Sequence, residues 1–161
     1  MIFGEKVSYL THPFLPIFDK NSEILILGSF PSVRSRIDCF YYSHPQNRFW
    51  KLITCLTNTE STPISVFEKK QILLKNRIAL WDIVKSCDIK GSNDNSIINV
   101  TPADLSVILN NSNIKHILAN GKEAHRLCVK YSVNALYLPS TSSANAAYSF
   151  ERLVFEWKKF F

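Results

Sequence analysis

Residues 24–32 read Ile24-Leu25-Ile26-Leu27-Gly28-Ser29-Phe30-Pro31-Ser32, and this segment says most about the architecture. A run of four large aliphatic residues, followed at once by glycine, serine and proline, is typical of a buried strand that ends in a turn. Strands of that kind belong to parallel sheets, whose two faces are covered by helices. The segment therefore predicts an inner strand of an α/β protein.

Other segments share this aliphatic character, so that short strands are predicted at residues 23–27, 77–81, 115–119 and 134–138. Apolar residues at helical spacing predict helices at residues 45–56, 66–74, 102–110, 122–131 and 146–159. Strands that alternate with helices favour a parallel sheet between two helical layers. We therefore predict a three-layer α/β/α sandwich with a central four-stranded, mostly parallel sheet, formed by a single domain over residues 1–161.

The composition excludes several classes of protein. Of the 161 residues, 46% are apolar and only four are glycine, which rules out disordered and collagen-like chains. The longest aliphatic runs are too short to cross a bilayer, so no membrane partner is expected. Residues 1–6 lack the basic-then-apolar order of a signal peptide, which predicts an intracellular protein, cytoplasmic or nucleoid-associated. We expect a monomer.

Cysteine spacing and net charge bear on metals and partners. Cys39, Cys55, Cys87 and Cys128 are scattered and form no Cys-x-x-Cys pair, which predicts reduced core thiols and no metal site. The formal net charge is +6, and the isoelectric point lies near 9.2. Phosphate contacts supply most non-specific affinity for nucleic acid, so this balance favours a polyanionic partner.

Four loops are the predicted location of a ligand. In open parallel sheets, ligands bind beyond the carboxyl ends of the strands. That rule selects residues 28–43, 82–99, 120–121 and 139–145. The second loop contains an expected irregular stretch over residues 85–99, and loops of that length are often functional or mobile.

The segment His44-Pro45-Gln46-Asn47 combines polar groups with a helix start. Pro45 suits the first helical position, which makes His44 the predicted cap and places Asn47 near the third position. An asparagine carbonyl there can orient a water, and free backbone amides favour a nearby phosphate. From the residues alone, the same side chains could equally serve to satisfy a helix end.

The last loop and two carboxylates are further candidates. Residues 139–145 are rich in small hydroxyl side chains, which can grip phosphates; an ordinary capped loop explains them equally well. Asp82 ends the second strand, where a carboxylate could be catalytic or a phosphoacceptor, and Asp94 is a second candidate. Their spacing forms no recognisable acid pair, so no two-carboxylate mechanism follows.

Several motifs in order resemble the uracil-DNA glycosylase superfamily, and more narrowly its hypoxanthine-DNA (deoxyinosine) glycosylase branch. The first two are residues 24–32 and Phe40-Tyr41-Tyr42-Ser43-His44-Pro45-Gln46-Asn47-Arg48-Phe49-Trp50. The others are Ala79-Leu80-Trp81-Asp82-Ile83, Gly91-Ser92-x-Asp94-x-x-Ile97, Asn120-Gly121-Lys122-x-Ala124 and Leu138-Pro139-Ser140-Thr141-Ser142-x-Ala144-Asn145. The resemblance covers roughly residues 10–155, which is nearly the whole chain.

This resemblance implies a base-excision repair enzyme that flips a damaged base out of DNA and cleaves its bond to deoxyribose with water, without a cofactor or metal. It implies that Asn47 and Ser29 are catalytic, with Asn47 activating the water. The implied base pocket is Gly28, Phe30, Pro31, His44 and Asn120, with Phe30 stacking on the base. The implied DNA-contacting residues are Ser140, Thr141, Ser142, Ser143, Ala144 and Asn145. Asp82, Ser92 and Asp94 match motifs as supporting residues.

Two positions depart from the pattern of the relatives. Ser29 stands where mismatch-specific uracil enzymes have the catalytic asparagine of Gly-Ile-Asn-Pro-Gly, which argues against ordinary uracil activity and shifts the catalytic prediction to Asn47. Ser143 replaces the proline expected in Ser-Thr-Ser-Pro-Ala-Asn, a change expected to loosen that loop.

The leading interpretation is hydrolytic excision of hypoxanthine, and of other deaminated bases, from DNA. Uracil excision on the same scaffold is an open alternative. A non-catalytic module that binds damaged DNA or a protein is another. A phospho-receiver domain, suggested by Asp82, ranks last because Gly28-Ser29 stands where its acidic cluster would be.

Overall fold

A computed structural model describes residues 5–161; residues 1–4, which belong to the stretch behind the intracellular prediction, lie outside it. The strands are β1 (Val7–Thr11), β2 (Ile24–Gly28), β3 (Ile78–Asp82), β4 (Val84–Lys90), β5 (Asn93–Pro102), β6 (His116–Asn120) and β7 (Leu136–Leu138). The helices are α1 (Val33–Asp38), α2 (Phe49–Leu56), α3 (Val66–Lys75), α4 (Ser106–Leu109), α5 (Lys122–Lys130) and α6 (Phe150–Trp157), which a 3₁₀ turn (Lys158–Phe160) follows.

The central sheet of the described residues has four strands in the order β3-β2-β6-β7, and every neighbouring pair is parallel. β2 is an inner strand, with Ile26 opposite Leu80 of β3 and Leu118 of β6. Helices cover the sheet on both sides. The predicted α/β sandwich with a parallel four-stranded sheet is therefore confirmed.

Alternate residues of β2 supply the two hydrophobic cores. Leu25 and Leu27 pack in the core that includes α4 and α5, whereas Ile26 packs against α2, α3 and α6. All three side chains are fully buried, and burial of each contributes about 1.5–3 kcal/mol to folding. Because successive side chains of a strand point to opposite faces, a shift of β2 by one residue would move each of these side chains into the other core. Both faces of β2 would stay buried, but the loop that follows it would be misplaced.

The second sheet has the order β1-β4-β5 and is antiparallel. The prediction of an irregular loop over residues 85–99 is therefore wrong, because most of these residues form the hairpin of β4 and β5. Gly91 lies in its turn with a φ of 57°. A polar residue on a buried position hides the strand pattern: Ser86 is 5% exposed. Its hydroxyl accepts a hydrogen bond from Tyr9 of β1 at 3.0 Å, a partner that local sequence does not reveal.

The predicted helix starts also need correction. α2 begins at Phe49, so His44 is not its cap and Asn47 is not at its third position. The reason is a long-range contact, because the backbone N–H of Arg48 donates to the Thr141 carbonyl at 3.0 Å and lies outside the helix. The helix expected over residues 102–110 is reduced to α4, since Pro102 still pairs with Val84 at the end of β5. α1 lies within a predicted loop.

The cysteines divide between core and surface. Cys87 and Cys128 are buried, as predicted, and burial raises the pKa of both thiols to about 11, which keeps them inert. Cys39 and Cys55 are exposed, so the prediction of core thiols is wrong for these two. In the part of the chain that the structure describes, no group of three or more His, Cys, Asp or Glu side chains is placed to hold a metal ion.

Within residues 5–161, none of the helices combines the length and the apolar character that crossing a bilayer requires.

Candidate active site

The carboxyl ends of the parallel strands open on a cleft with a volume of about 300 Å³. Its lining residues are Gly28, Ser29, Phe30, Pro31, Ser32, Ser35, Tyr41, Tyr42, His44, Asn47, Asp82, Ser92, Asp94, Asn120, Ser140, Thr141, Ser142 and Ser143. An adjoining cavity of about 400 Å³ shares part of this wall and also contains Ala144, Asn145 and Lys122. The four loops selected from the sequence therefore meet at one place.

Gly28 forms the floor of the cleft because two polar groups approach its backbone closely. A Cβ atom at this position would lie 2.3 Å from Asp82 Oδ1 and 2.9 Å from the Tyr42 hydroxyl oxygen. The Tyr42 ring is fixed by stacking on Phe49, with the ring centroids 4.1 Å apart. Burial, and in addition the Asp82 charge, raises the pKa of Tyr42, so the phenol stays protonated and remains a hydrogen-bond donor.

Asp82 is held by a histidine that the sequence analysis missed. His12 Nε2 lies 2.7 Å from Asp82 Oδ2, and both side chains are 6% exposed. His12 Nδ1 lies 2.8 Å from the Phe14 carbonyl, which only accepts, so Nδ1 carries a proton. Nε2 and Oδ2 form a buried hydrogen bond. The pair ties Oδ2 down and leaves Oδ1 at the cleft floor.

β1 brings His12 to this position. β1 is antiparallel to β4, with Thr11 opposite Ser86, and the His12 N–H donates to the Lys85 carbonyl at 2.7 Å. The chain thereby passes close to the carboxyl end of β3, where Asp82 lies. The contact between His12 and Asp82 could be predicted from the sequence only if the pairing of β1 with β4 were predicted first. The aliphatic pattern reveals neither of these two strands.

A chain of hydrogen bonds joins the other polar residues of the cleft. Asn120 Nδ2 donates to the Tyr42 hydroxyl and to Thr141 Oγ1, both at 3.1 Å, and Asn120 Oδ1 accepts from the Thr141 N–H at 3.0 Å. Thr141 Oγ1 then donates to Asn47 Oδ1 at 2.9 Å. Thr141 was predicted as a DNA contact, but its side chain is fully buried, which assigns it to this internal network.

The network fixes which end of the Asn47 amide is free. Asn47 Oδ1 accepts from the Phe49 N–H and from Thr141 Oγ1, both at 2.9 Å. Because a backbone N–H only donates, the oxygen must be the end that faces it, and both of its lone pairs are used. The expected water-orienting carbonyl is therefore occupied by the protein. The Nδ2 group has no protein partner among the described residues, and it is the donor that Asn47 offers to the cleft.

Arg48 holds the last loop. Its guanidinium donates to the carbonyls of Thr141 at 3.3 Å, Ser142 at 2.8 Å and Asn145 at 3.2 Å, and also to the Tyr148 carbonyl. Ser143, expected to loosen this loop, thus lies within a segment that is fixed through its main chain. Residues 140–148 keep their shape because of a cation from another element.

We expect Arg48→Lys to free this loop, because an ammonium group cannot replace a planar fork with several donors. Amide hydrogen exchange of residues 140–148 should accelerate at least about tenfold, which corresponds to the loss of one hydrogen bond from a charged donor. Arg152→Lys is the matched control, because Arg152 donates to one carbonyl of the segment, that of Ala147, at 2.8 Å. Equal protection in Arg48→Lys and the wild type would contradict the clamp.

Asp94, the second residue of β5, lines the cleft beside the turn between β4 and β5, and this turn is docked on the first loop. Ser92 Oγ accepts from the Val33 N–H at 2.9 Å, and Arg36 donates to the carbonyls of Pro31 at 2.7 Å and Gly91 at 3.2 Å. The Asp94 carboxyl lies at the open mouth and stays accessible to water. The surrounding walls nevertheless withdraw enough solvent to raise its pKa to about 6, while the Ser29 hydroxyl opposes the rise.

The remaining predicted residues form the walls and rim. Phe30, 6% exposed, presents its ring to the cleft, and the His12 ring lies edge-on to it with centroids 6.0 Å apart. Ser29 is 7% exposed beside it. His44 lies exposed at the rim, where its Nδ1 accepts from the Gln46 N–H at 3.2 Å. The result is a polar floor, an apolar wall and a polar rim.

Comparisons with known proteins place this geometry in a family. A profile described as "Uracil DNA glycosylase superfamily" matches residues 15–160. A protein from Methanosarcina acetivorans named "Hypoxanthine DNA glycosylase" is 34% identical over 152 residues, covering 92% of this chain and 96% of that protein. A protein of the same name from Methanosarcina barkeri is 35% identical over 112 residues, covering 69% of this chain and 71% of that protein.

The fold comparison agrees. A Methanosarcina acetivorans protein, solved by solution NMR and described as a candidate uracil DNA glycosylase, superposes with a TM-score of 0.79 at 32% identity. The superposition covers 95% of this chain and 96% of that one. The family predicted from the ordered motifs is confirmed: the chain belongs to the uracil DNA glycosylase superfamily.

Proposed function

We propose that this chain is a DNA glycosylase that hydrolyses the bond between hypoxanthine and deoxyribose in DNA. The observation that carries the proposal is the meeting of all the motif loops around one cleft with a polar floor and an apolar wall. Two relatives that carry the name hypoxanthine DNA glycosylase support the choice of base. The cleft volume of about 300 Å³ is at the lower end of the range for small-ligand sites, which suits a single base.

The cleft requires that the base leave the duplex. A base stacked in DNA cannot enter a recess at the end of a sheet, so the target nucleotide must be flipped out. The exposed residues Ser143 and Ala144 lie on the rim loop that Arg48 holds, where they can contact the backbone beside the flipped nucleotide. Lys122 in the adjoining cavity supplies a cation for a neighbouring phosphate.

The floor complements the edge of hypoxanthine. That base presents one N–H donor beside one carbonyl acceptor on its six-membered ring. Asp82 Oδ1 offers an acceptor, and the Tyr42 hydroxyl offers a donor in the same cleft. Phe30 supplies the apolar wall for stacking. A site built of paired donors and acceptors rejects bases that leave those groups unpaired.

Asn47 and Ser29 are the residues that we assign to the chemical step. Glycosidic cleavage builds positive charge on the sugar, so the attacking water needs orientation more than deprotonation. Asn47 Nδ2 donates to that water and holds it beside the sugar. Ser29 lies in the loop above the floor and lines the same cleft as Asp94.

The test of this function is base release from labelled duplexes that contain inosine, uracil or xanthine, with abasic sites then cleaved by alkali. Release of hypoxanthine from the inosine duplex is the expected result. A folded protein that binds DNA and releases no base from any of the duplexes would overturn the proposal. Release of uracil alone would keep the reaction and change the substrate.

Asn47→Ala should slow the single-turnover rate at least about tenfold, the value of one hydrogen bond in the transition state. DNA affinity should stay near that of the wild type, because the lost amide acts on water. Asn76→Ala is the matched control, since Asn76 Nδ2 bonds the Ile72 carbonyl at the end of α3, away from the cleft. A wild-type rate in Asn47→Ala would remove the role in water positioning.

A further inference from the structure

We propose that Asp94 is the catalytic acid that protonates the hypoxanthine ring as the base leaves the sugar. This inference rests on the proposed function and adds a proton donor to it. The family resemblance gives Asp94 no role in the reaction beyond that of a supporting residue. It starts from the contrast between two carboxyl groups that line the same cleft, Asp82 on the floor and Asp94 at the mouth.

The two carboxyls have opposite surroundings. Asp82 is buried and paired with His12 at 2.7 Å, so it is held as a fixed acceptor. Asp94 takes part in no salt bridge among residues 5–161, although Lys122 lines the adjoining cavity with it. Environments that separate the behaviour of two carboxyls in one site are the usual basis for giving them different roles.

The groups around Asp94 favour its acid form. Burial is the main reason why the pKa of Asp94 is raised, and the negative charges of Glu123 on α5 and Asp82 on β3 raise it further. Tyr42 lines the same cleft and stays neutral because burial raises its pKa; His44 also lines this cleft, and Lys122 lines the adjoining cavity. The pKa of about 6 leaves roughly a tenth of the Asp94 carboxyls protonated at pH 7. The Ser29 hydroxyl opposes this rise in pKa.

The fold holds this carboxyl in place. Asp94 is near the start of β5, and the preceding turn is fixed to the first loop through Ser92 and through the two carbonyls that Arg36 binds. Ser29, two residues before Pro31 in that loop, lies beside the carboxyl. These hydrogen bonds hold the turn against the first loop, which suits a group that must meet a bound base.

The proton balance of the step is simple. The Asp94 acid gives its proton to a ring nitrogen of the purine, N7 or N3, as the bond between C1′ and N9 breaks and its electron pair stays on the base. Hypoxanthine then leaves as a neutral molecule. Water adds to C1′ and releases a proton, which restores the Asp94 acid through solvent. Uracil has no basic ring nitrogen of this kind, so an acid here favours a purine leaving group.

The test compares Asp94→Asn with the wild type in single-turnover base release from an inosine duplex. Asp94→Asn should be slower by about a hundredfold at pH 6, which is the usual value of general acid catalysis. The wild-type rate should fall about tenfold per pH unit above pH 6, because the acid form is then lost, and the rate of the variant should not. Asp88→Asn is the matched control, since Asp88 lies on the same hairpin and accepts from Asn99 at 2.7 Å.

Substrates that lack one ring nitrogen identify the acceptor of the proton. The wild type should be slow on either 7-deazainosine or 3-deazainosine duplexes, and on that analogue Asp94→Asn should cause no further loss. Asp94→Asn with the wild-type rate would overturn the role of Asp94. So would rate losses from the substitution and from each of the two analogues that multiply fully. In both cases base release by the wild type would still stand. No base release by the wild type would instead show that the proposed function itself fails.

Discussion

Gly28→Ala is expected to slow base release at least about a hundredfold, because catalytic groups displaced by about an ångström lose that much rate. The added methyl group would lie 2.3 Å from Asp82 Oδ1 and 2.9 Å from the Tyr42 hydroxyl oxygen, both closer than a real Cβ atom comes to a neighbour. One or both groups must therefore move away from the floor. Single-turnover rates on an inosine duplex measure the loss.

Two controls separate the floor of the cleft from the fold. Thermal unfolding and DNA binding of Gly28→Ala should show a folded protein that still binds its substrate. Tyr42→Phe removes one hydroxyl without a new contact, so its loss of rate should be smaller than that of Gly28→Ala. A folded Gly28→Ala protein with the wild-type rate would show that neither Asp82 nor Tyr42 needs its observed position.

His12→Ala is expected to lower the free energy of unfolding by about 3–5 kcal/mol, since removal of one partner from a buried pair leaves an uncompensated charge. Asp82 is 4% exposed and cannot regain the lost contact from water without a change in structure. Urea denaturation at neutral pH measures the loss. Substitution of both His12 and Asp82 by alanine should cost less than the sum of the two single substitutions.

An exposed ion pair provides the comparison for His12→Ala. Arg126 and Glu123 form a contact of 2.5 Å on α5, with the Arg126 side chain 55% exposed. Arg126→Ala should therefore lower the free energy of unfolding by less than about 1 kcal/mol. Equal losses in His12→Ala and Arg126→Ala, or strict additivity of His12→Ala with Asp82→Ala, would contradict a buried coupled pair.

The elements that the sequence predicts well are those with local causes. β2 and its neighbours are short aliphatic runs, and such runs have few alternatives to a buried parallel strand. The hairpin of β4 and β5 depends partly on distant residues. Ser86 on its buried face accepts a hydrogen bond from Tyr9, which lies 77 residues away in the chain. The start of α2 is shifted for the same reason, since the Arg48 N–H bonds a carbonyl in the last loop.

The site divides in the same way. The meeting of the loops follows from the parallel sheet, so the residues that line the cleft could be predicted from motif order and topology. The orientation of the Asn47 amide depends on Thr141, 94 residues away, and Asp82 depends on His12, 70 residues away. Contacts at that separation leave no periodic trace in the chain. Sequence reasoning therefore finds the participants before it finds their hydrogen bonds.

The Arg48 clamp has a consequence for altering substrate preference by protein engineering. Its guanidinium holds carbonyl oxygens of Thr141, Ser142, Asn145 and Tyr148, and every amino acid, proline included, carries such an oxygen. The clamp thus does not depend on the side chains at Ser143 and Ala144, whereas the side chains of Ser140, Ser142 and Asn145 also form hydrogen bonds within the loop. Libraries randomised at Ser143 and Ala144 can then sample new contacts to DNA without rebuilding the loop.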